Sequence, residues 1–234
     1  MGLKESGLRG SLRSLSTGVT DIPDSVVQQF TGENFADPWP DDAGLNDMAV
    51  SGLTATTLSD GADAVAGDGD TDHGTATLPI SGSDLQSFAF EVALEFTNNT
   101  AEVVAVINDG SSRQIIRVSP VDGNIVFDLR DDNETRFQFE ADNNPEIDDG
   151  VRHDILFSII DSTENDARMW IDGGEVSVNV TTSEGPDNFR GWDYDMGYYA
   201  RNDQGAIRNY WEGSIGIARW HGKAITEPTT VNYP

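Results

Sequence analysis

The sequence predicts an all-β protein: an antiparallel two-sheet jelly-roll sandwich with an N-terminal extension. Three observations predict it. Short apolar runs recur along most of the chain with a period of two. Turn signals rich in Asn, Asp and Gly separate them. No long stretch carries the 3.6-residue period of an amphipathic helix.

The clearest strand is Phe88 to Phe96. Phe88, Phe90, Val92, Leu94 and Phe96 alternate with Ala89, Glu91, Ala93 and Glu95, which predicts a half-buried strand with one wet face. Further strands are expected over 102–108, 114–118, 124–129 and 135–141. Asn108-Asp-Gly, Asp122-Gly-Asn and Asp131-Asp-Asn separate them. The series continues over 152–160, 167–171, 175–180, 197–201 and 212–220. Before Ser87 the signal is weaker. Residues 49–58 and 75–80 read as early strands, and 60–74 as a surface loop.

Composition narrows the setting. There are 41 Asp plus Glu against 14 Lys plus Arg, a net charge of -27, and only two lysines, Lys4 and Lys223. Such a chain repels itself at low ionic strength. At about 1 M salt the screening length falls to roughly 3 Å, and the repulsion largely vanishes. A salt-adapted protein is expected. A phosphate backbone needs a basic face, so nucleic acid is excluded as a partner. With no cysteine there are neither disulfides nor thiolate metal sites. No apolar stretch approaches a membrane span, and Met1 to Gly18 holds no run of signal-peptide length.

Residues 1–35 read as a separate arm, and 36–234 as the sandwich. Met1 to Gly18 carries Lys4, Arg9 and Arg13 against Glu5. Its Leu3, Leu8, Leu12 and Leu15 form a ragged helical stripe broken by Gly7 and Gly10. Lys4, Leu8, Arg9, Leu12 and Arg13 are the candidate assembly residues, ordering against a neighbouring subunit in a homo-oligomer.

Four segments in the last third carry a family resemblance. Val151-Arg-His153-Asp-Ile-Leu-Phe157-Ser-Ile-Ile-Asp161 resembles the "W-H-H-V-A-V-T-Y-D" strand of laminin-G-like domains. Arg168-Met-Trp170-Ile-Asp172-Gly173-Gly resembles their "L-Y-V-D-G" hairpin. Tyr198-Tyr-Ala-Arg201 resembles "I-G-A-R". Tyr210-Trp-Glu-Gly213-Ser-Ile215-Gly-Ile217-Ala-Arg219-Trp220 resembles the closing strand, in which Ile215 and Ile217 should point inward together. The resemblance covers about residues 85–225 and implies a concanavalin A-like, laminin-G-like sandwich. Arg152 stands where the family has Trp, so the resemblance carries the fold and no ligand site. The opening Gly2 to Arg13 is similar to the start of structural proteins of tailed haloarchaeal viruses and their proviruses. That similarity implies a virion surface protein (turret, fibre or decoration) whose arm docks on other particle proteins.

Candidate chemistry is sparse. Retaining glucanases of this class use Glu-x-Asp-x-x-Glu on one strand. Glu146-Ile-Asp148-Asp-Gly150 lacks the second Glu and sits in a turn-rich stretch, so no catalytic residue and no enzyme is expected. Glu91 and Glu95 read as a solvated face. His153 reads as a packing residue. Asp68, Asp70 and Asp72 place three carboxylates at alternate positions, a candidate site for Ca²⁺ or Mg²⁺. Eight aromatics fall between Phe189 and Trp220. Phe189, Trp211 and Trp220 read as core. Trp192 and Tyr194, with Asp193 and Arg190, are the candidate contacts for cell-surface glycans. The alternatives are a free carbohydrate-binding module of a halophile and a divergent glycoside hydrolase.

Overall fold

A computed structural model describes residues 25–44, 46–80, 87–97, 104–108, 115–121, 124–130, 136–142, 145–161, 166–182, 195–203 and 205–227. The strands, in chain order, begin with β1 (Val26–Thr31), β2 (Ala49–Ser51), β3 (Thr54–Thr57), β4 (Asp63–Asp68), β5 (His73–Ala76) and β6 (Phe88–Glu95). Then come β7 (Ala105–Asn108), β8 (Ile115–Val121), β9 (Asn124–Arg130), β10 (Arg136–Ala141), β11 (His153–Asp161) and β12 (Asp166–Ile171). The last are β13 (Gly174–Val176), β14 (Val178–Thr182), β15 (Met196–Tyr198), β16 (Arg201–Asp203), β17 (Ala206–Arg208) and β18 (Glu212–His221).

They form an all-β sandwich. The first sheet runs β13-β12-β11-β6-β18-β4-β3, with β1 also on β18; the second runs β14-β10-β9-β8-β7-β15-β5-β2, with β16 also on β7 and β17 on β16. Pairing is antiparallel throughout these sheets except where β16 meets β7. No helix among the described residues is long and apolar enough to cross a membrane.

The period-two pattern becomes the core. Phe88, Phe90, Phe157 and Trp220 from the first sheet meet Phe127, Phe137 and Phe139 from the second, all buried. Phe90 and Trp220 have ring centroids 4.3 Å apart, and Phe127 lies 5.4 Å from Phe157. Offset and edge contacts of this kind add to the burial of about 1.5–3 kcal/mol for each large side chain. The Asp172-Gly173 signal gives the two-residue turn between β12 and β13. Both residues have positive φ, 52° and 77°, as a type I′ turn requires.

The sandwich begins earlier than residue 36. Val26–Thr31 pairs with β18 from Val26 opposite His221 to Thr31 opposite Ile217. Its polar pair hides it in the sequence, because both glutamines are buried and bonded. Gln28 faces the core, donating to the Thr77 carbonyl and accepting from the Tyr198 hydroxyl. Gln29 faces the other way, accepting from Arg219 Nε at 2.7 Å. After β1 the chain turns at Gly32 directly against β4, where a Cβ would lie 2.3 Å from the Asp63 carbonyl oxygen.

Three further expectations change. Residues 60–74 contain β4, whose small Ala64, Val65 and Ala66 make too short an apolar run to stand out. A register shift in β18 puts Ile215, Ala218 and Trp220 in the core, while Ile217 turns to the opposite face beside Ala93. Glu91 is buried rather than solvated. The face of the first sheet that points away from the core is overlaid by the chain after β18: Ile225 packs on Ala89, Leu156 and Trp170, and its N–H donates to Ser158 Oγ at 2.8 Å.

Two strands change sheets without a break. β2 belongs to the second sheet and β3 to the first, with only Gly52 and Leu53 between them. β13 belongs to the first and β14 to the second, with only Ser177 between them. Each of these crossings forms one lateral edge of the sandwich.

Candidate functional site

Among the described residues, aromatic and acidic groups come together at the β4–β5 turn and the approach to β18. Asp68 closes β4. Its Oδ1 accepts N–H bonds from Asp70 at 2.9 Å, Thr71 at 2.9 Å and Asp72 at 3.1 Å. Those backbone donors, Thr71's the strongest, hold its carboxyl at about 2. These bonds brace the turn on an exposed rim, with Gly69 and Asp72 half-buried.

His73 opens β5, half-buried. Its Nδ1–H donates to the Thr71 carbonyl at 2.9 Å, since a carbonyl can only accept, which makes Nε2 the acceptor nitrogen of a neutral ring. Its ring centroid is 6.0 Å from that of Tyr210, which is also half-buried. Asp72 lies against Gly52, where a Cβ would sit 1.8 Å from the carboxylate oxygen. Glu212 stands opposite Asp68 in the β18–β4 register.

What holds Tyr210 is a buried pair behind it. The Trp211 backbone N–H donates to the Tyr199 carbonyl at 2.7 Å, and the two rings are 5.5 Å apart. Tyr199 has φ of 59°, an uncommon backbone for a bulky residue. Its hydroxyl donates to the Val65 carbonyl and accepts from Ile215 N–H. Asn209, next to Tyr210, also has positive φ, 53°. Strained backbone of this kind persists where the surroundings over-determine it, often at ligand sites. Trp211 itself is laid flat over Gly213, where a Cβ would meet its ring at 2.4 Å.

The sequence-derived residues fall out as follows. Asp68, Asp70 and Asp72 share the rim loop, but Asp68 is engaged by backbone amides. Among the described residues no three His, Asp or Glu side chains gather to hold a metal ion. Trp192, Asp193, Tyr194 and Arg190 lie outside the described residues, as do Lys4, Leu8, Arg9, Leu12 and Arg13. Trp211 and Trp220 are buried. Residues 145–150 form no strand, with Glu146 exposed and Ile147 buried, so the paired-carboxylate strand geometry is not built there. His153 bonds Asp172 Oδ2 at 2.9 Å and Asp149 Oδ1 at 3.3 Å. Sequence reading missed His73 and Tyr210. Their one signal was position, directly after an acidic turn and directly before a core Trp.

A second polar group lies on the outward face of the first sheet. Ser25 Oγ is 2.9 Å from His221 Nδ1, and His221 Nε2 is 3.4 Å from Glu91 Oε2. The order resembles a nucleophile, base and acid. Glu91, however, is already neutralised by Arg219 at 2.9 Å, and the nearby Gly222 N–H is taken by Ser25's own carbonyl. Among the described residues the set braces β1 on β18.

No protein-family model matches the chain, and no curated protein does. Solved structures do match. The binding domain of Paraclostridial Mosquitocidal Protein 1 aligns with a TM-score of 0.65 and 13% identity, over 87% of this chain and 50% of that one. The botulinum neurotoxin serotype D binding domain gives 0.61 and 14%, over 87% and 49%. Domain 4 of AbnA, a GH43 extracellular arabinanase from Geobacillus stearothermophilus, in complex with arabinotriose, gives 0.59 and 16%, over 86% and 94%. This chain has the β-sandwich fold of those binding domains. It spans about half the length of the two toxin domains and nearly all of the arabinanase domain.

Proposed function

We propose that the protein is a non-enzymatic carbohydrate-binding module that takes neutral glycans on the His73–Tyr210 rim. The observation that carries this reading is the pair of half-buried rings, 6.0 Å apart, with His73 following the loop braced by Asp68 and Tyr210 preceding β18. An aromatic face suits the C–H face of a sugar ring. Asp70, Asp72 and His73 Nε2 supply acceptors for its hydroxyls. The fold shared with the arabinotriose-binding domain supports the reading. A net charge of -27 disfavours sialylated, sulfated or uronic ligands.

The test is a glycan array read in about 3 M KCl, where charge is screened to a few ångströms. Neutral oligosaccharides should bind. Tyr210→Ala should weaken binding by roughly ten- to thirtyfold, the about 1.5–2 kcal/mol of a well-placed aromatic contact, with the circular dichroism unchanged. Wild-type protein that retains no glycan of any class would falsify the reading.

The finer placement is on the surface of a haloarchaeal virus particle, the N-terminal stretch holding the module to other virion proteins. Support comes from the acid excess and from the basic, leucine-bearing residues Lys4, Leu8, Arg9, Leu12 and Arg13. Trp192 and Tyr194, flanked by Asp193 and Arg190, would add a second sugar contact. Deleting residues 2–20 should leave the sandwich folded and abolish incorporation into particles. Particles that still contain the shortened protein would overturn the placement.

A further inference from the structure

One lateral edge of the second sheet is made by β14, Val178-Asn-Val-Thr-Thr182. Among the described residues β14 is hydrogen-bonded in the sheet only to β10. That ladder runs unshifted through five successive pairs, from Ala141 opposite Val178 to Phe137 opposite Thr182. Among the described residues nothing pairs with the far side of β14, which presents a straight row of backbone donors and acceptors.

Exposed edges of this sort normally carry a charge, a Pro or a bulge that blocks pairing with another chain. β14 has none of the three. The chain has 41 acidic residues among 234, enough for about one in every six positions, yet none falls on this strand. Its neighbours are not so bare: β13 carries Glu175 and β10 carries Arg136 and Glu140. Val178 and Val180 are half-buried against the core, so their outer flanks would gain cover from a further strand. Asn179 and Thr181 are exposed.

We propose that β14 pairs antiparallel with β14 of a second copy, about a twofold axis through Val180. Val180 then faces Val180, Val178 faces Thr182, and Asn179 faces Thr181, each relationship repeated by symmetry. The partner is a second copy for two reasons. A strand bearing carboxylates would be repelled from a molecule of this charge, and two molecules of net charge -27 approach with least cost where neither has any. The sequence of β14 is also its own complement, β-branched opposite β-branched and amide opposite hydroxyl. β14 and β2 end the same sheet on opposite sides, so the His73–Tyr210 rim beside β2 and β5 stays free at each outer end.

The test uses the full chain in brine. It has no cysteine, so Val180→Cys introduces a single thiol. Directly opposed residues of an antiparallel pair have Cα atoms about 4.5–5.5 Å apart, within disulfide range. Mild oxidation should convert V180C to a covalent dimer, whereas T56C on the other lateral edge should stay monomeric. The exposed pair gives a second arm that spares the core. N179D/T181D places Asp opposite Asp twice and should raise the dimer dissociation constant at least tenfold by light scattering. N179K/T181D places Lys opposite Asp twice and should restore the dimer. A wild-type protein that is monomeric at all accessible concentrations overturns the proposal. So does an oligomer indifferent to N179D/T181D, or one in which T56C cross-links and V180C does not.

Discussion

Arg219 Nη1 lies 2.9 Å from Glu91 Oε2, with both side chains buried on the face of the first sheet that points away from the core. The pair joins β18 to β6, and Arg219 Nε extends it to Gln29 on β1. Breaking a buried pair from one side leaves the other charge uncompensated. Glu91→Ala should therefore cost about 3–5 kcal/mol in urea unfolding, while Glu91→Gln, which keeps part of the hydrogen bonding, should cost less. Equal stability of Glu91→Ala and wild type would mean that Arg219 finds another counter-charge.

The same pair sets an acid limit. Burial pushes the Glu91 carboxyl up, but the His221 hydrogen bond and the Arg219 charge outweigh it, and the group ends below its ordinary 4.5. A depressed carboxyl contributes stability that is complete above its unfolded value and is lost as pH falls through the folded value. Unfolding free energy should thus decline below about pH 4.5 in wild type, and less steeply in Glu91→Gln. A parallel decline in the two would assign the acid sensitivity elsewhere.

Asp68 makes a local counterpart. With its carboxyl held at about 2, the amides of Asp70, Thr71 and Asp72 should keep their protection until pH approaches that value. Hydrogen exchange read at these three amides is the direct check. Asp68→Ala should expose all three at neutral pH and should weaken the glycan binding proposed for the rim without changing the global unfolding midpoint.

Gly173 has φ of 77° and open space around it, so its role in the β12–β13 turn is conformational alone. Gly173→Val should destabilise by about 1–2 kcal/mol, the cost of a Cβ in left-handed backbone, with Gly173→Asn recovering most of it. Gly32 is different, because a Cβ there has no room beside Asp63. Gly32→Ala should separate the end of β1 from β4, with a loss well above that of Gly173→Val in the same thermal unfolding experiment.

Tyr198 connects three elements. Its hydroxyl donates to Gln28 Oε1 at 3.0 Å and accepts from Trp220 Nε1 at 2.9 Å, all buried. Tyr198→Phe strands two polar groups and should cost about 2–6 kcal/mol, since each buried orphan is worth about 1–3. Double replacement with Gln28→Leu should recover part of that loss.

Much of the fold was legible because alternation is a property of one strand at a time. Phe88 to Leu94 reads as β6 from its own residues, and Asp172-Gly173 declares its turn by the backbone each residue tolerates. What stayed hidden depends on partners distant in sequence. Gln28 and Gln29 look like solvent residues until Tyr198, Thr77 and Arg219 are placed beside them. Glu91 looks wet until Ile225 and the chain around it lie over its sheet. Ile217 departs from its expected face because the register shift after Ile215 is a two-strand event. The rim was less legible still. His73 and Tyr210 are far apart in sequence, and only the β4–β18 register and the Tyr199–Trp211 pair bring them within ring distance.

The two sheet-changing crossings have a mechanical consequence. Gly52-Leu53 on one side and Ser177 on the other are stitches between the two layers, each one or two residues long. A load that tries to open the sandwich like a book meets a taut backbone at both spines. The layers can part only if a whole edge strand is first unzipped from its neighbour, β3 from β4 or β14 from β10. Pulled from its ends, such a domain should resist as a single unit and yield in one step.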